Sequence, residues 1–347
     1  MNTSKENKKI VVLGAGESGV GTAVLAQKQG FDVFVSDKGS IKPEYRAMLE
    51  KYKIRFEEVN HDESEVLSAS EIVKSPGIPE KVEILKKIRA AGIPVISEIE
   101  FAGRYSKAKM IGITGTNGKT MTTMLVYHIL QKAGLKVGLA GNVGKSFALQ
   151  VAEQDFDYYV LELSSFQLDD MYHFKCDIAI LTNITPDHLD RYNYELKNYV
   201  MAKFRILQNQ TPSDAFIYCA DDALTTEYLP SVEVRSKKYP FSIKTKIEEG
   251  AYLEDQQLII NTNNNQFTML IHELALQGKH NLYNSMAAGI TARLVDIRKE
   301  VIRESLTDFR NVEHRLEFVS SVHGIEFVND SKATNINSTW FALESFN

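Results

Sequence analysis

The chain has 347 residues, which is enough for two domains and part of a third. Its 44% hydrophobic and 24% charged residues are the proportions of an ordinary soluble globular protein. The formal net charge of −5 gives no reason to expect nucleic acid or an anionic membrane as a partner, although loops and helix ends can still bind phosphate groups.

The N-terminus and the two cysteines predict a cytoplasmic protein. The polar segment MNTSKENKK precedes the first apolar run, IVVLGAG, which glycine interrupts, so the pattern is not that of a signal peptide. No stretch approaches the roughly 18 apolar residues of a transmembrane helix. Cys176 and Cys219 lie far apart in apolar runs, which predicts two reduced core residues and no disulfide or zinc site.

Strand-like and helix-like runs alternate from the start of the chain. KKIVVLG is typical of a buried strand, SGVGTAVLAQKQG of a helix and FDVFVSD of a second strand. The pattern weakens through residues 42–58 and returns at SEIVKSPG. Such alternation predicts a parallel sheet with crossover helices, here a Rossmann-like domain over residues 1–105.

A second α/β series follows. KMIGITG and KVGLAGN are typical of strands on either side of a helix, and DYYVLELSS and CDIAILTN are strands that end in polar residues. We expect a central P-loop-type ATPase domain over residues 106–310, richer in β structure at 232–272, with a hairpin turn at Asn261–Asn265. GIEFVND and NSTWFALESF predict the first strand and helix of a third α/β domain over residues 311–347.

The strongest motif is Gly115–Thr120, which follows a predicted strand and begins a predicted helix, as a P-loop does. Gly115 and Gly118 let backbone N–H groups approach phosphate oxygens without a clash from a Cβ atom. Lys119 would neutralise the β- and γ-phosphates of ATP, and the Thr120 hydroxyl would bind Mg²⁺. The usual pattern has a glycine where this chain has Ile113, so the loop is a variant, and a chance turn is the alternative.

Three further positions suggest chemistry only weakly by themselves. Gly14–Gly19 fits the G-x-G-x-x-G pattern, and Asp37 ends the next strand where a ribose-binding acid belongs, so alone this pair suggests either a dinucleotide site or a plain strand–helix turn. Glu162 ends a strand, where a carboxylate often faces a metal, and His188 follows the next strand as a metal ligand, a substrate contact or a cap. Lys203, on a later helix, is by itself typical of a surface charge.

Taken together, the ordered motifs resemble those of the Mur ligase family, the ATP-dependent amino-acid ligases of peptidoglycan assembly. The GAGESG and NDSKATN segments resemble the branch of the family that adds D-glutamate. The matching segments, which span nearly the whole chain, are GAGESG (14–19), SD (36–37), SPGIP (75–79), TGTNGKT (114–120), GNVG (141–144), LELSSFQL (161–168), TPDHLDRY (185–192), MAKFRI (201–206), GKHNLYN (278–284), EHR (313–315) and NDSKATN (329–335).

The resemblance implies an ATP-dependent ligase that joins D-glutamate to UDP-N-acetylmuramoyl-L-alanine through an acyl phosphate. Its cofactors would be ATP and two Mg²⁺ ions. The N-terminal domain would then hold a uridine nucleotide and not NAD. We expect a monomer that neither binds nucleic acid nor inserts into a membrane. Because family members carry a complete third domain and this sequence stops at Asn347, we also expect the chain as given to lack ligase activity.

The resemblance also implies site residues, grouped by ligand. Those for substrate are Ser18, Asp37, Ser75, Asn142, His188 and Thr334, the last toward D-glutamate. Those for ATP are Gly115, Thr116, Asn117, Gly118, Lys119, Thr120, Asn281, Arg315 and Asp330. Those for metal are Thr120 at the first Mg²⁺, Glu162 and His188 at the second, and a carbamylated Lys203 as a bridge. The catalytic set is Lys119, His188, Lys203 and Lys332, with Lys332 or His188 stabilising the tetrahedral intermediate.

Two other functions are compatible with parts of the pattern. An NAD-dependent dehydrogenase would use Gly14–Gly19 and Asp37, but it would leave the P-loop, Glu162 and His188 without a task. A non-catalytic nucleotide-binding regulator would use the P-loop alone. Binding of UDP-sugar, NAD and ATP distinguishes the first alternative from a ligase, and D-glutamate-dependent phosphate release distinguishes the second.

Overall fold

The computed structural model describes residues 8–310, 317–323 and 325–331, together with Thr339 and Leu343. The chain divides into two compact units, Met1–Lys109 with Gly138–Lys175, and Met110–Val137 with Cys176–Asn347. Helices and parallel strands alternate in both units, which confirms the predicted α/β fold class. The domain boundaries predicted at residues 105 and 310 stay a prediction. In the described part of the chain, no helix is both long and apolar enough to cross a bilayer.

The bounds of the described elements are as follows. The strands are β1 Lys9–Leu13, β2 Asp32–Asp37, β3 Arg55–Glu58, β4 Glu71–Lys74, β5 Val95–Ile96, β6 Lys109–Thr114, β7 Val137–Gly141, β8 Tyr158–Glu162, β9 Ile178–Leu181, β10 Ala215–Cys219, β11 Lys237–Ser242, β12 Gly250–Glu254, β13 Gln257–Thr262, β14 Asn265–Leu270, β15 Glu317–Val322 and β16 Ile325–Asn329. The α-helices are α1 Glu17–Lys28, α2 Pro43–Lys51, α3 Glu63–Leu67, α4 Glu83–Ala90, α5 Glu98–Gly103, α6 Lys119–Lys132, α7 Phe147–Glu153, α8 Ser165–Asp169, α9 Leu196–Phe204, α10 Ala223–Tyr228, α11 Lys279–Leu294 and α12 Lys299–Asp308.

In the first unit, five parallel strands form a sheet in the order β3-β2-β1-β4-β5. The central strand β1 is buried from Ile10 to Leu13, as its unbroken apolar sequence predicts for a strand covered on both faces. The strand order reverses between β1 and β4. The loops that follow these two strands therefore flank the crevice in which ligands of open α/β sheets bind.

Residues 138–175 also belong to the first unit, although the sequence-based division places them in the middle domain. They contain most of β7 together with α7, β8 and α8. Helix α7 packs on α1, where Gly21 leaves no space for a side chain because Ser146 fills it. The two helices can approach closely for this reason.

In the second unit, seven strands follow the order β14-β13-β12-β11-β10-β9-β6, parallel from β6 to β12 and antiparallel beyond. Strands β13 and β14 form the predicted hairpin, with Asn263 and Asn264 at φ 51° and 59° in its turn. Asparagine is one of the few residues that tolerate this left-handed conformation. The β-rich character predicted for residues 232–272 is confirmed.

Two smaller predictions concern the cysteines and the end of the chain. Cys176 and Cys219 are buried free thiols, as predicted, and burial raises the pKa of Cys219 to about 12, which keeps it unreactive. Strand β16 pairs with β15 and confirms the strand predicted at GIEFVND. Of the helix predicted at NSTWFALESF, the structure describes only Thr339 and Leu343, both helical.

Candidate nucleotide and substrate sites

The predicted P-loop follows strand β6 and begins helix α6. Gly115 has φ 146° and Gly118 has φ 80°, which are conformations that residues with a Cβ rarely adopt. A methyl group on Gly115 would overlap the Thr182 side chain, and one on Gly118 would lie 2.6 Å from the Asn284 Oδ1. Both glycines are therefore required by the geometry, and the loop backbone is held at the N-terminus of a helix, where anions bind.

Two lysines donate hydrogen bonds to the carbonyl groups of this loop. Lys119 Nζ lies 3.0 Å from the Gly115 carbonyl oxygen and 2.8 Å from that of Thr116. Lys203 Nζ lies 2.7 Å from the same Gly115 oxygen. The side chain of Lys203 is only 2% exposed, so the interpretation of this helical lysine as a surface charge is wrong. The structure thus brings two predicted catalytic residues to one side of the P-loop.

Helix α9 also fixes the P-loop through Tyr199, a residue that the sequence analysis missed. The Tyr199 hydroxyl lies 3.0 Å from Thr116 Oγ1, and burial raises the pKa of this phenol well above its usual value. Thr116 Oγ1 in turn donates to the carbonyl of Thr185 and accepts from its N–H, both at 3.0 Å. Tyr199 lies one helical turn before Lys203, and this i, i+4 spacing is the signal that could have revealed it.

The loop that carries His188 begins at this network. Asn117 N donates to Asn183 Oδ1 at 3.0 Å, so the P-loop and the segment after β9 are bonded at two positions. His188 itself has φ 48°, its side chain is 55% exposed, and its N–H donates to Asp187 Oδ1. The exposed imidazole is accessible to a ligand, and its predicted roles toward metal and substrate stay predictions.

Glu162 and Asn142 form a second, separate pair in the first unit. Asn142 Nδ2 donates to Glu162 Oε1 at 2.9 Å, and Asn142 N donates to the Glu162 carbonyl at 2.9 Å. Gly141, at φ 97°, has no space for a Cβ because the Glu162 backbone lies there. Glu162 Oε2 is buried and has no hydrogen-bond partner among the described residues. A buried carboxylate oxygen with an open lone pair fits a cation.

The described residues contain no cluster of three or more His, Cys, Asp and Glu side chains that could hold a metal. A Mg²⁺ ion beside a P-loop, however, takes few ligands from protein carboxylates and several from phosphates and water. The buried Thr120, at the start of α6, is compatible with that chemistry. The four-residue metal set of Thr120, Glu162, His188 and Lys203 stays a prediction.

Two predicted substrate residues, Asp37 and Ser75, contact the first glycine-rich loop. Gly14 has φ 92°, and a Cβ on it would lie 2.5 Å from Ser75 Oγ, so the loops after β1 and β4 are in contact. Asp37 Oδ2 accepts from Ala15 N at 2.5 Å, and Asp37 Oδ1 accepts from Gly39 N. This carboxylate therefore shapes the loop, whatever else it binds.

Ser18 lies in the first turn of α1, where the neighbouring Glu17 Oε1 accepts a hydrogen bond from Ser146 N at 3.1 Å. Glu98 is fully buried and also accepts from Ser146 Oγ at 2.5 Å and Ala148 N at 3.0 Å. Desolvation raises the pKa of Glu98, although these hydrogen bonds oppose the shift. The first loop is thereby linked to the start of α7.

The remaining predicted residues divide into two groups. Asn281, in the first turn of α11, donates to the Gln277 carbonyl at 2.8 Å and lies 3.4 Å from Asn284, which contacts the P-loop helix through Thr122. Asp330 directly follows β16, and its predicted role toward ATP stays a prediction. The other predicted residues lie outside the described part of the chain; they are Arg315, Lys332 and Thr334.

Comparison with known proteins places these sites in a family. Residues 113–292 match the Mur ligase middle domain, and residues 8–97 match the MurD-like N-terminal domain of Mur ligases. The UDP-N-acetylmuramoylalanine--D-glutamate ligase of Bacteroides fragilis is 59% identical over 97% of this chain and 76% of its own length. The proteins of the same name from Christiangramia forsetii and Porphyromonas gingivalis are 55% and 53% identical, over 97% of this chain and 76% and 75% of their own lengths.

Solved structures support the same fold. A UDP-N-acetylmuramate:L-alanyl-gamma-D-glutamyl-meso-diaminopimelate ligase from Neisseria meningitides superposes with a TM-score of 0.62 at 21% identity, covering 88% of this chain and 99% of its own. The UDP-N-acetylmuramate-alanine ligase MurC of Thermotoga maritima gives 0.60 at 20% identity, covering 98% and 77%. The two domain matches and the relatives at 53–59% identity show that the chain belongs to the Mur ligase family of ATP-dependent ligases.

Proposed function

We propose that the reaction of this ligase is the joining of D-glutamate to UDP-N-acetylmuramoyl-L-alanine at the expense of ATP, in peptidoglycan precursor synthesis. The observation that carries the proposal is the 59% identity, over 97% of the chain, to a ligase named for this reaction. The geometry is compatible with it, because one unit contains a P-loop and the other a pair of ligand-binding loops at a sheet switch point. We also retain the predictions of a monomer and of a cytoplasmic location.

The chemistry explains why such a ligase needs ATP. A carboxylate is a poor electrophile, so its direct reaction with an amine is slow and uphill in water. Transfer of the γ-phosphoryl group to the alanyl carboxylate gives an acyl phosphate with a good leaving group. The amine of D-glutamate then attacks the carbonyl carbon, and phosphate leaves the tetrahedral intermediate. The task of the protein is to position these groups and to neutralise charge.

In this proposal Lys119 and the amides of Gly115–Thr120 hold the β- and γ-phosphates. Lys119 is half-buried and already beside the loop, so little reorganisation is needed for its ammonium group to reach a phosphate. Bound Mg²⁺ would neutralise charge on the transferring phosphoryl group. The Thr120 hydroxyl would hold one ion, and Glu162 Oε2, with His188, would hold the other.

We further propose that Lys203 carries a carbamate. The reaction with CO₂ needs a neutral amine, which an ordinary lysine of pKa ≈ 10.4 offers in only about one molecule in 2,500 at pH 7. Burial disfavours the charged ammonium, and the side chain of Lys203 is almost completely buried. A carbamylated nitrogen keeps one N–H, which can still donate to the Gly115 carbonyl. The anionic carbamate would then provide oxygen ligands for Mg²⁺ beside the P-loop.

Ligand binding and phosphate release test this function. We expect calorimetry to show binding of UDP-N-acetylmuramoyl-L-alanine and of Mg·ATP but not of NAD. We expect phosphate release from ATP to depend on D-glutamate when a panel of amino acids is compared. Tight binding of NAD without binding of the UDP-sugar, or release that prefers another amino acid, would contradict the proposal.

A further inference from the structure

Four ion-paired side chains, of which Lys74 and Asp170 are buried, lie next to the Ser75–Pro79 loop. Lys74, the last residue of β4, is 4% exposed, and its Nζ lies 2.9 Å from both Asp170 Oδ2 and Glu80 Oε1. Arg89 on α4 approaches the same two carboxylates, at 3.2 Å and 3.3 Å. Two cations and two anions thus balance one another. A lysine is almost never buried to this extent unless it is paired.

On one side, Lys74 controls the shape of the loop itself. Its Nζ lies 3.3 Å from the Ile78 carbonyl oxygen, so the side chain spans the turn from the end of the strand. The next residue, Ser75, donates its N–H to the Leu13 carbonyl, and its side chain packs against Gly14. The position of Ser75 therefore depends on a turn that Lys74 closes and on the first glycine-rich loop.

On the other side, Asp170 connects the cluster to helix α8. Asp170 is the C-cap of α8, and its carbonyl accepts from Ser97 N at 2.8 Å. A capping box between Ser164 and Gln167 makes this short helix a defined unit. Glu162 lies two residues before Ser164. Lys74 and Asp170 therefore link the Ser75 loop to the segment that carries Glu162, and both lie within the first unit.

We propose that Lys74 is a positioning residue for the UDP-substrate, which it serves by fixing the Ser75–Pro79 loop to α8 through Asp170. The inference rests on the proposed function of this unit. Without the ammonium group, the Ile78 carbonyl loses its donor and two carboxylates share Arg89 alone. The loop would then sample other conformations, and substrate binding would have to order it again.

A purely structural role for the cluster predicts something different. If the ion pairs only stabilised the fold, a variant that still folds would bind both nucleotides with unchanged affinity. A positioning role instead predicts a loss confined to the UDP-substrate, because the P-loop belongs to the other unit. The two roles therefore differ in the ratio of the two affinities.

The experiment compares calorimetric binding of UDP-N-acetylmuramoyl-L-alanine and of Mg·ATP in variants of the full chain. For Lys74→Met we expect UDP-substrate affinity to fall about tenfold or more, while the affinity for Mg·ATP stays within about twofold. Lys74→Arg should recover part of the loss, because it restores a cation. The matched control is Lys86→Met, an exposed lysine on α4 that pairs only with exposed Glu83 among the contacts described.

A second variant, Asp170→Asn, keeps the size of the side chain and removes only its charge. It therefore still tests the inference if Lys74→Met does not fold. We expect it to weaken UDP-substrate binding as well, and the Lys74→Met/Asp170→Asn double variant to lose less than the sum of the single losses. A folded Lys74→Met or Asp170→Asn chain with wild-type affinity for the UDP-substrate would overturn the inference. A wild-type chain that binds no UDP-substrate would overturn the proposed function together with it.

Discussion

The two glycine-rich loops, Gly14–Gly19 and Gly115–Thr120, share a backbone plan but differ in charge. Each follows a buried parallel strand, starts with a glycine of positive φ and leads into a helix. At the first loop the side chain that bonds the loop backbone is an acid, Asp37, which accepts the N–H of Ala15. Around the second, two lysines donate to loop carbonyls. In both loops the strand–glycine–helix backbone presents amide groups that can bind anions. The neighbouring side chains determine how much phosphate charge each loop can neutralise.

The largest effect should come from Lys119→Ala, which removes the cation that most distinguishes the second loop. We expect ATP turnover to fall by roughly a thousandfold, or about 4 kcal/mol at the transition state, because neighbouring Thr116 and Asn117 are neutral. Binding of the UDP-substrate should be unchanged. Phosphate release and calorimetry measure the two effects. Lys132→Ala, at the far end of the same helix, is the control, and wild-type turnover in Lys119→Ala would show that the loop has been misinterpreted.

The variant Lys203→Arg should also have lower turnover. Arginine keeps the positive charge beside the second loop but cannot form a carbamate. We expect a fall of about a hundredfold in turnover. With ¹³C-bicarbonate, the wild-type chain should show a carbamate carbon signal in NMR spectra, and this signal should be absent from the variant. The exposed lysine on the same helix offers the control Lys197→Arg. A persistent carbamate signal in Lys203→Arg would assign the modification to another residue.

A smaller and more local effect is expected at the first loop from Gly14→Ala. The φ of 92° and the contact with Ser75 oppose a methyl group here, and the cost should be about 1–3 kcal/mol of stability. UDP-substrate affinity should fall, while Mg·ATP affinity should not. Gly16→Ala is a matched control for stability, because φ is −79° and no atom lies within 4 Å of the added methyl. Equal melting temperatures for the two variants would mean that the Gly14 geometry is wrong.

The smallest effect concerns Glu98, the buried acid that accepts hydrogen bonds from Ser146 and Ala148. Because desolvation raises its pKa in the folded chain, the folded state retains a proton that the unfolded state releases near pH 4.5. The stability from this group is complete below that pH and is lost as pH rises toward the raised pKa. In Glu98→Gln this part of the pH dependence should disappear. Urea unfolding between pH 4 and 8 measures the slope, and equal slopes for both proteins would refute the shift.

The sequence was sufficient for the parts of the fold that local patterns encode. The apolar runs of β1 and β2 predicted central strands, and the glycines of the P-loop predicted both its position and its conformation. Burial of Lys203 was not predictable in the same way. Lys197 and Lys203 lie on one helix, and the buried side chain of Lys203 makes a long-range hydrogen bond to the Gly115 carbonyl that the local sequence does not reveal.

The same limit applies to the substrate loops. Nothing in SPGIP or in the following residues shows that Lys74 is paired with Asp170, since that pair joins segments far apart in the chain. The placement of residues 138–175 in the first unit depends on contacts of this kind, including those of Glu98 with Ser146 and Ala148. Sequence motifs therefore identified the candidate site residues. The residues that fix their positions, such as Lys74 and Asp170, were identified only from the three-dimensional structure.

The insertion of Met110–Val137 between the two parts of the first unit has a consequence for synthesis on the ribosome. Glu100 accepts hydrogen bonds from backbone groups at residues 172–174, up to 74 positions later. At a translation rate of roughly 5–20 residues per second, that partner appears about 4–15 s after Glu100 does. During this interval the carboxylate of Glu100, which is buried in the folded chain, remains hydrated. The first sheet can form early, but it acquires its final packing only after the strand and helix of the P-loop have been made.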